Sequence, residues 1–440
     1  MVATKLLPLL HVKKVSCVVA LALLATRAVA AGPARLQLLP KRFTFPPLSA
    51  TKPLGWLRAQ SRIQADTLGG HLEYFFVNNS LWMKDYANLS EVPYPQKDLE
   101  TVPYWLNGLL PLAYQLNDSH LLNVSHEYIS AILDRQKADG WAGPDVPDSS
   151  CTIGCRSPWP RYRLLTVLAS YAELFPEDPR TVDAMHRLVH SLAAELTNIT
   201  ATKQLMRADP WTHARWFELS ANVQELLDTD PTDKFGDRAA LFAAMETARS
   251  TGLDWATWYT QRECEVPDAA SMAHCATYPN ASSCNADKGC SFVDNLACKA
   301  MDTDCFPCRD AESKECPQAV EEYFCNHGVN VAQSLKFWAI EGRVAGALNT
   351  SEDAAVLANK TVERMHRCHG QPGGVFSGHE QIGGIEPNRG TETCDVVEVM
   401  NSYADLFAAF GGVGYLDRIE AAGFNRLPAP YLNGSMWSMQ

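Results

Sequence analysis

The sequence predicts an all-α protein interrupted by a small cysteine-rich insertion. Three observations carry that prediction. Apolar residues recur at the i, i+3, i+4, i+7 spacing of one buried helix face along most of the chain. Alternating strand patterns are scarce before the C-terminus. Nine cysteines, Cys264, Cys275, Cys284, Cys290, Cys298, Cys305, Cys308, Cys316 and Cys325, crowd into 62 residues that lack this periodicity.

Residues 1–30 read as a secretory signal peptide. Lys5, Lys13 and Lys14 form a basic leader, Val15 to Ala25 is an apolar run, and Ala28-Val29-Ala30 supplies small residues for cleavage. The run falls short of the roughly 20 residues a bilayer span needs, so stable membrane insertion after cleavage is not expected. Residues 50–260 form a first helical part. Val124, Tyr128, Ile129, Ile132 and Leu133 mark one helix, and Val182, Met185, Leu188, Val189, Leu192 and Leu196 another. Asp139-Gly140 and Pro176-Glu177-Asp178-Pro179 punctuate them as turns. Residues 262–325 are the insertion, too poor in apolar side chains for a core without disulfide staples. Residues 326–440 return to helix, with Val396, Val399, Met400, Tyr403, Leu406, Phe407 and Phe410 on one face.

The composition of the 440 residues is that of a globular protein: 46% are hydrophobic and 20% charged, which excludes wholesale disorder. The net charge is −12, and removing four leader cations and no acid makes it −16. With no basic stripe, binding to nucleic acid is not expected. Asn78, Asn88, Asn117, Asn123, Asn198, Asn280, Asn349, Asn359 and Asn433 head N-x-Ser/Thr sequons, which suits a glycosylated exported chain. In an oxidising compartment the clustered cysteines predict disulfides. Beyond the leader 13 cysteines remain, so at least one has no intrachain partner. Cys394 or Cys368 would account for it.

Dinucleotide, phosphate-loop, His-Glu-x-x-His and Gly-x-Ser-x-Gly templates are absent from the sequence. The densest polar constellation runs from His366 to Glu398, a glycine-rich loop bearing Cys368, His369, His379, Glu380, Glu386, Arg389, Glu392, Cys394 and Asp395. So many ionisable groups are costly to bury for packing alone. Thr391 is the expected N-cap of the helix that follows, placing Cys394 in its first turn, where the backbone amides favour a thiolate. Glu392 and Cys394 could face one cation, and Glu380 could give a proton to a leaving group. The competing reading makes the carboxylates solvated helix-start groups and Cys394 a small buried residue. His327 and Gln333, entering another helix, are candidate sugar ligands or structural helix-start residues. Among the 11 tryptophans, Trp105 and Trp141 are candidates for stacking on sugar faces, against a bland role in the core.

Several segments carry a family resemblance. They are Pro53-Leu54-Gly55-Trp56-Leu57, Gln64 to Leu72, Pro103-Tyr104-Trp105-Leu106-Asn107-Gly108-Leu109 and Asp139-Gly140-Trp141-Ala142-Gly143-Pro144. His327 to Gln333, Gly390-Thr391-Glu392-Thr393-Cys394 with Val397 to Met400, and Phe424 to Ala429 complete the series. Together they resemble the catalytic domain of the β-L-arabinofuranosidase-like glycoside hydrolases of family 127, over residues 50–260 and 323–440. The resemblance implies an (α/α)6 toroid, here incomplete and carrying an inserted cysteine-rich module. It also implies retaining exo-hydrolysis of furanosides by a zinc-bound thiolate. Glu392 and Cys394 would be two of the zinc ligands, Glu380 the acid/base and His327 a pocket residue. The family's vicinal cysteine pair, which supplies the nucleophile, has no counterpart here, since no cysteine follows Cys394 before Gln440. The expectation is therefore a truncated gene product or a shortened non-catalytic relative.

The expected function is a secreted glycosidase acting on L-arabinofuranosides or related glycans, in the extracellular space or an endolysosomal lumen. One alternative is an inactive glycan-binding scaffold. Another is a carboxylate-only inverting hydrolase or lyase on the same helices.

Overall fold

The computed structural model describes residues 37–75, 82, 96–144, 156–202, 209–261, 277, 290–293, 297–300, 326–348, 352–385, 390–429, 431–432 and 435–436. The signal-peptide expectation lies outside these residues. So do Cys264, Cys275, Cys284, Cys305, Cys308, Cys316 and Cys325, with Asn78, Asn88, Asn280, Asn349 and Asn433. All that follows concerns the unit Leu38–Gln440.

Helices dominate. They are α1 (Gly55–Asp66), α2 (Leu68–His71), α3 (Gln96–Leu116), α4 (Ser119–Asp134), α5 (Trp159–Leu174), α6 (Arg180–Thr202), α7 (Pro210–Ala214) and α8 (Phe217–Thr229). Then come α9 (Arg238–Thr251), α10 (Trp255–Gln261), α11 (Gly328–Ser334), α12 (Phe337–Gly342), α13 (Ala354–His369), α14 (Thr393–Phe410) and α15 (Val413–Ala421). Strands are few and short: β1 (Cys290–Val293) with β2 (Ala297–Ala300) in the insertion, and β3 (Gly370–Gln371) with β4 (Val375–Phe376). β5 (Gly378–His379) pairs with β6 (Gln381–Ile382), and β7 (Tyr431–Leu432) with β8 (Ser435–Met436). The fold is all-α, as the periodicity predicts.

Local chemistry explains the helix boundaries. Asp118 caps α4 by accepting from the Leu121 amide, Asp209 caps α7 and Asp353 caps α13, each satisfying an orphan N–H. The three apolar stripes read from sequence fall on α4, α6 and α14. In α6, Met185, Leu188, Val189, Leu192 and Leu196 are buried, whereas Val182 is only half-buried.

Successive helices pack on one another: α3 with α4, α5 with α6, α8 with α9, α12 with α13, and α14 with α15. The first members also touch in series, α3 on α5, α5 on α8, α8 on α12, and α12 on α14. These series helices meet around a buried ionic cluster. Arg163 of α5 pairs with Glu398 of α14 at 3.2 Å, and Lys336 reaches Glu218 of α8 at 2.8 Å and Asp405 of α14 at 3.7 Å. Burial opposes the charge on Lys336, but Glu218 and Asp405 outweigh it and raise its pKa. Gln333 of α11 donates to the Tyr104 hydroxyl of α3 at 3.2 Å. Among the described residues, no helix is long and apolar enough to cross a membrane.

Candidate functional site

The site is assembled on the hairpin β5–β6. Glu380 occupies its tip with φ 60, a left-handed conformation unusual for a residue with a side chain. On one side the hairpin is stitched to the start of α11: His327 bridges Gln381, and the Gly328 amide donates to the Glu380 carbonyl at 2.8 Å. On the other side it joins the start of α14, where the Glu392 amide donates to the Gly378 carbonyl at 2.8 Å. Backbone hydrogen bonds thus bring the start of α11 together with the hairpin and the start of α14, which lie far along the chain from it.

The side chains converge accordingly. His327 Nε2 lies 3.4 Å from Glu380 Oε2. Burial and the nearby Arg215 guanidinium push the His327 pKa down to about 3, so the imidazole is neutral at any ordinary pH. Glu392 and Cys394 stand two residues apart at the start of α14, close enough for the carboxylate to act on the thiol. Asp395, one residue on, is almost completely buried, and neither carboxylate oxygen has a hydrogen-bond partner. Its pKa is driven well above the carboxylate range, first by burial and then by Glu392, Glu380 and Glu398.

Two expectations need correction. The N-cap of α14 is Glu392, one residue later than expected, because the Thr391 hydroxyl is spent on the Phe376 carbonyl at 3.2 Å. The Cys394 thiol is pushed up to about 12 rather than down: burial leads, and Glu392, Asp395 and Glu398 add like charge that outweighs the helix start.

An aromatic wall flanks the acids. Trp211 meets the His327 ring edge-on at 5.0 Å, and Arg215 sits between Trp159 (4.5 Å) and Trp211 (4.7 Å). Arg215 also donates to Asn330 of α11 at 2.7 Å. The tryptophans named from sequence lie elsewhere. Trp141 is fully buried with the Arg161 guanidinium 4.6 Å from its ring centre, and Trp105 is a core residue whose indole donates to the Gly69 carbonyl at 2.8 Å. Sugar stacking is therefore corrected for both, since their surfaces are spent on packing. Gln333 is likewise buried in the helix interior. His369, held unprotonated by burial, accepts from the Gly384 amide and supports the loop.

Neither Cys368, which is buried, nor Cys394, which is exposed as a residue, forms a disulfide. Asn117, Asn123, Asn198 and Asn359, the sequon residues among those described, are all exposed. None of the site residues lines the cleft of about 450 Å³ formed by Leu39, Arg42, Glu341, Arg343 and Phe410.

Compared with family models, with curated proteins and with solved structures, the chain matches none.

Proposed function

We propose that the chain is a secreted glycoside hydrolase of the β-L-arabinofuranosidase-like type, acting on furanosides or related glycans at the mouth of a ring of paired helices. The observation that carries this reading is the convergence of His327, Glu380, Glu392 and Cys394 on one hairpin. The serial packing of α3, α5, α8, α12 and α14 is consistent with a ring of paired helices. The exposed sequons are consistent with export.

In this reading Glu380 is the acid/base. Its exposed side chain reaches a substrate, and neutral His327 beside it can hydrogen-bond a sugar hydroxyl without bringing a charge. Trp211, in contact with His327 and Trp159, offers an aromatic face beside it. Glu392 and Cys394 would hold a zinc ion. They supply a carboxylate and a thiol, two of the three or four donors a zinc ion takes, and Glu392 Oε2 is a buried oxygen with no hydrogen-bond partner. Bound there, zinc would supply the positive charge that keeps the Cys394 sulfur deprotonated among carboxylates.

A second reading rests on the high pKa of Asp395. A carboxyl held neutral can act as an acid while Glu380 serves as base, the carboxylate-only chemistry of an inverting hydrolase. Under it Cys394→Ser leaves turnover intact and Asp395→Asn abolishes it.

The test is hydrolysis of a panel of aryl glycosides, arabinofuranosides included, by the full chain supplied with zinc. Turnover that falls about 10²–10⁴-fold in Glu380→Gln is expected of an acid/base residue. No turnover on any glycoside would defeat both enzyme readings. Glycan binding retained under those conditions would instead support a scaffold role.

A further inference from the structure

A second cation site lies outside the cluster described above. His71 at the end of α2, Glu73 in the 3₁₀ turn Leu72–Phe75, and His120 in the first turn of α4 each offer one ligand atom, and these atoms lie within 4.8 Å of one another. We propose that these three side chains bind a divalent transition-metal ion of the zinc class, pinning the α2 segment to α4.

The donor chemistry is selective. Two imidazoles and one carboxylate are borderline ligands that suit zinc and its neighbours and leave a position for water. Magnesium and calcium prefer oxygen shells. Two of the three side chains also carry a buried polar atom with no hydrogen bond, His71 Nδ1 and Glu73 Oε2. A buried polar atom without a partner costs roughly 1–3 kcal/mol, which an ion bound by that atom would remove.

The supporting shell is already in place. The Trp105 indole holds the Gly69 carbonyl at 2.8 Å, fixing the backbone just before His71. The His71 ring stacks on Tyr74 at 5.5 Å with an interplanar angle of 4°, which sets its orientation. On the other side, Arg62 of α1 pairs with Asp118 at 2.7 Å while Asp118 caps α4, so the turn carrying His120 is tied to α1. Both halves are thus held by contacts that need no metal. Neither half contains a cysteine, which separates this site from the Glu392–Cys394 pair in any spectroscopic readout.

The experiment is titration of the full chain with cobalt(II) as the optical probe and with zinc(II) by calorimetry. Nitrogen- and oxygen-ligated cobalt absorbs without a thiolate charge-transfer band. The proposal expects that signal in the wild type and in Cys394→Ser. It also expects zinc affinity to drop at least about tenfold in both His120→Asn and Glu73→Gln. His120 is exposed, so its replacement leaves the core intact. Either variant binding zinc as tightly as the wild type would overturn the proposal. So would a thiolate band accounting for all bound cobalt.

Discussion

Asp395, in the first turn of α14, lodges its carboxylate against the backbone of Gly378, in the hairpin that carries Glu380. A Cβ on Gly378 would collide with that carboxylate, and one on Gly328 would come within 2.7 Å of it. The two glycines let three backbone segments close on one buried acid. Gly378→Ala is therefore expected to destabilise the fold by about 1–3 kcal/mol, as overpacking does. In an Asp395→Ala background the same change should cost much less. A double-mutant cycle by urea unfolding reads the coupling, and additive effects would contradict the close approach.

The raised pKa of Asp395 makes a directional prediction for stability without metal. Its folded-state value lies above the unfolded value of about 4, so the folded chain holds the proton more tightly. This group's contribution falls as pH rises above about 4 and stays unfavourable beyond the folded pKa. Asp395→Asn should remove that slope and raise stability at neutral pH. Urea unfolding of both proteins in chelator across pH 4–8 checks it, and parallel curves would count against it.

His327 behaves in the opposite sense. With a folded value of about 3 against about 6.5 unfolded, it contributes stability that is complete above pH 6.5 and lost as pH falls towards 3. Its ring carbon resonances should therefore stay at their neutral-imidazole positions from pH 8 down to pH 5. A midpoint near 6.5 in the NMR titration would show that the ring is not desolvated as described.

At the centre of the helices, Lys336 and Glu218 lie 2.8 Å apart, both buried. Lys336→Met strands a buried carboxylate and is expected to cost about 3–5 kcal/mol. Replacing both residues, as Lys336→Met with Glu218→Leu, should recover much of that loss. Chemical denaturation separates the cases, and a double variant as unstable as the single would mean that the cost is not electrostatic.

The helices were legible in the sequence because their signal is local: the stripes Tyr128 to Leu133, Met185 to Leu196 and Val396 to Leu406 each lie within one helix that buries them. The glycine-rich loop was legible as a polar constellation for the same reason. What the sequence hid came from contacts between distant segments. Thr391 left its expected capping role because Phe376 offers a carbonyl. The Cys394 thiol moved upward because burial and Glu392 act on it first, with Asp395 and Glu398 adding like charge. Trp211, not Trp105 or Trp141, stands at the site, because α7 carries it against His327. Its spacing from His327 gives no periodic signal. His71, Glu73 and His120 meet across 49 residues and two helices, so no short motif announces them.

Whether Glu392 and Cys394 face a common cation is read by cobalt(II) substitution of the full chain. A thiolate-to-cobalt charge-transfer band that disappears in Cys394→Ser and weakens in Glu392→Gln is the expected result. A band that persists unchanged in Cys394→Ser, or no band at any cobalt concentration, would contradict it.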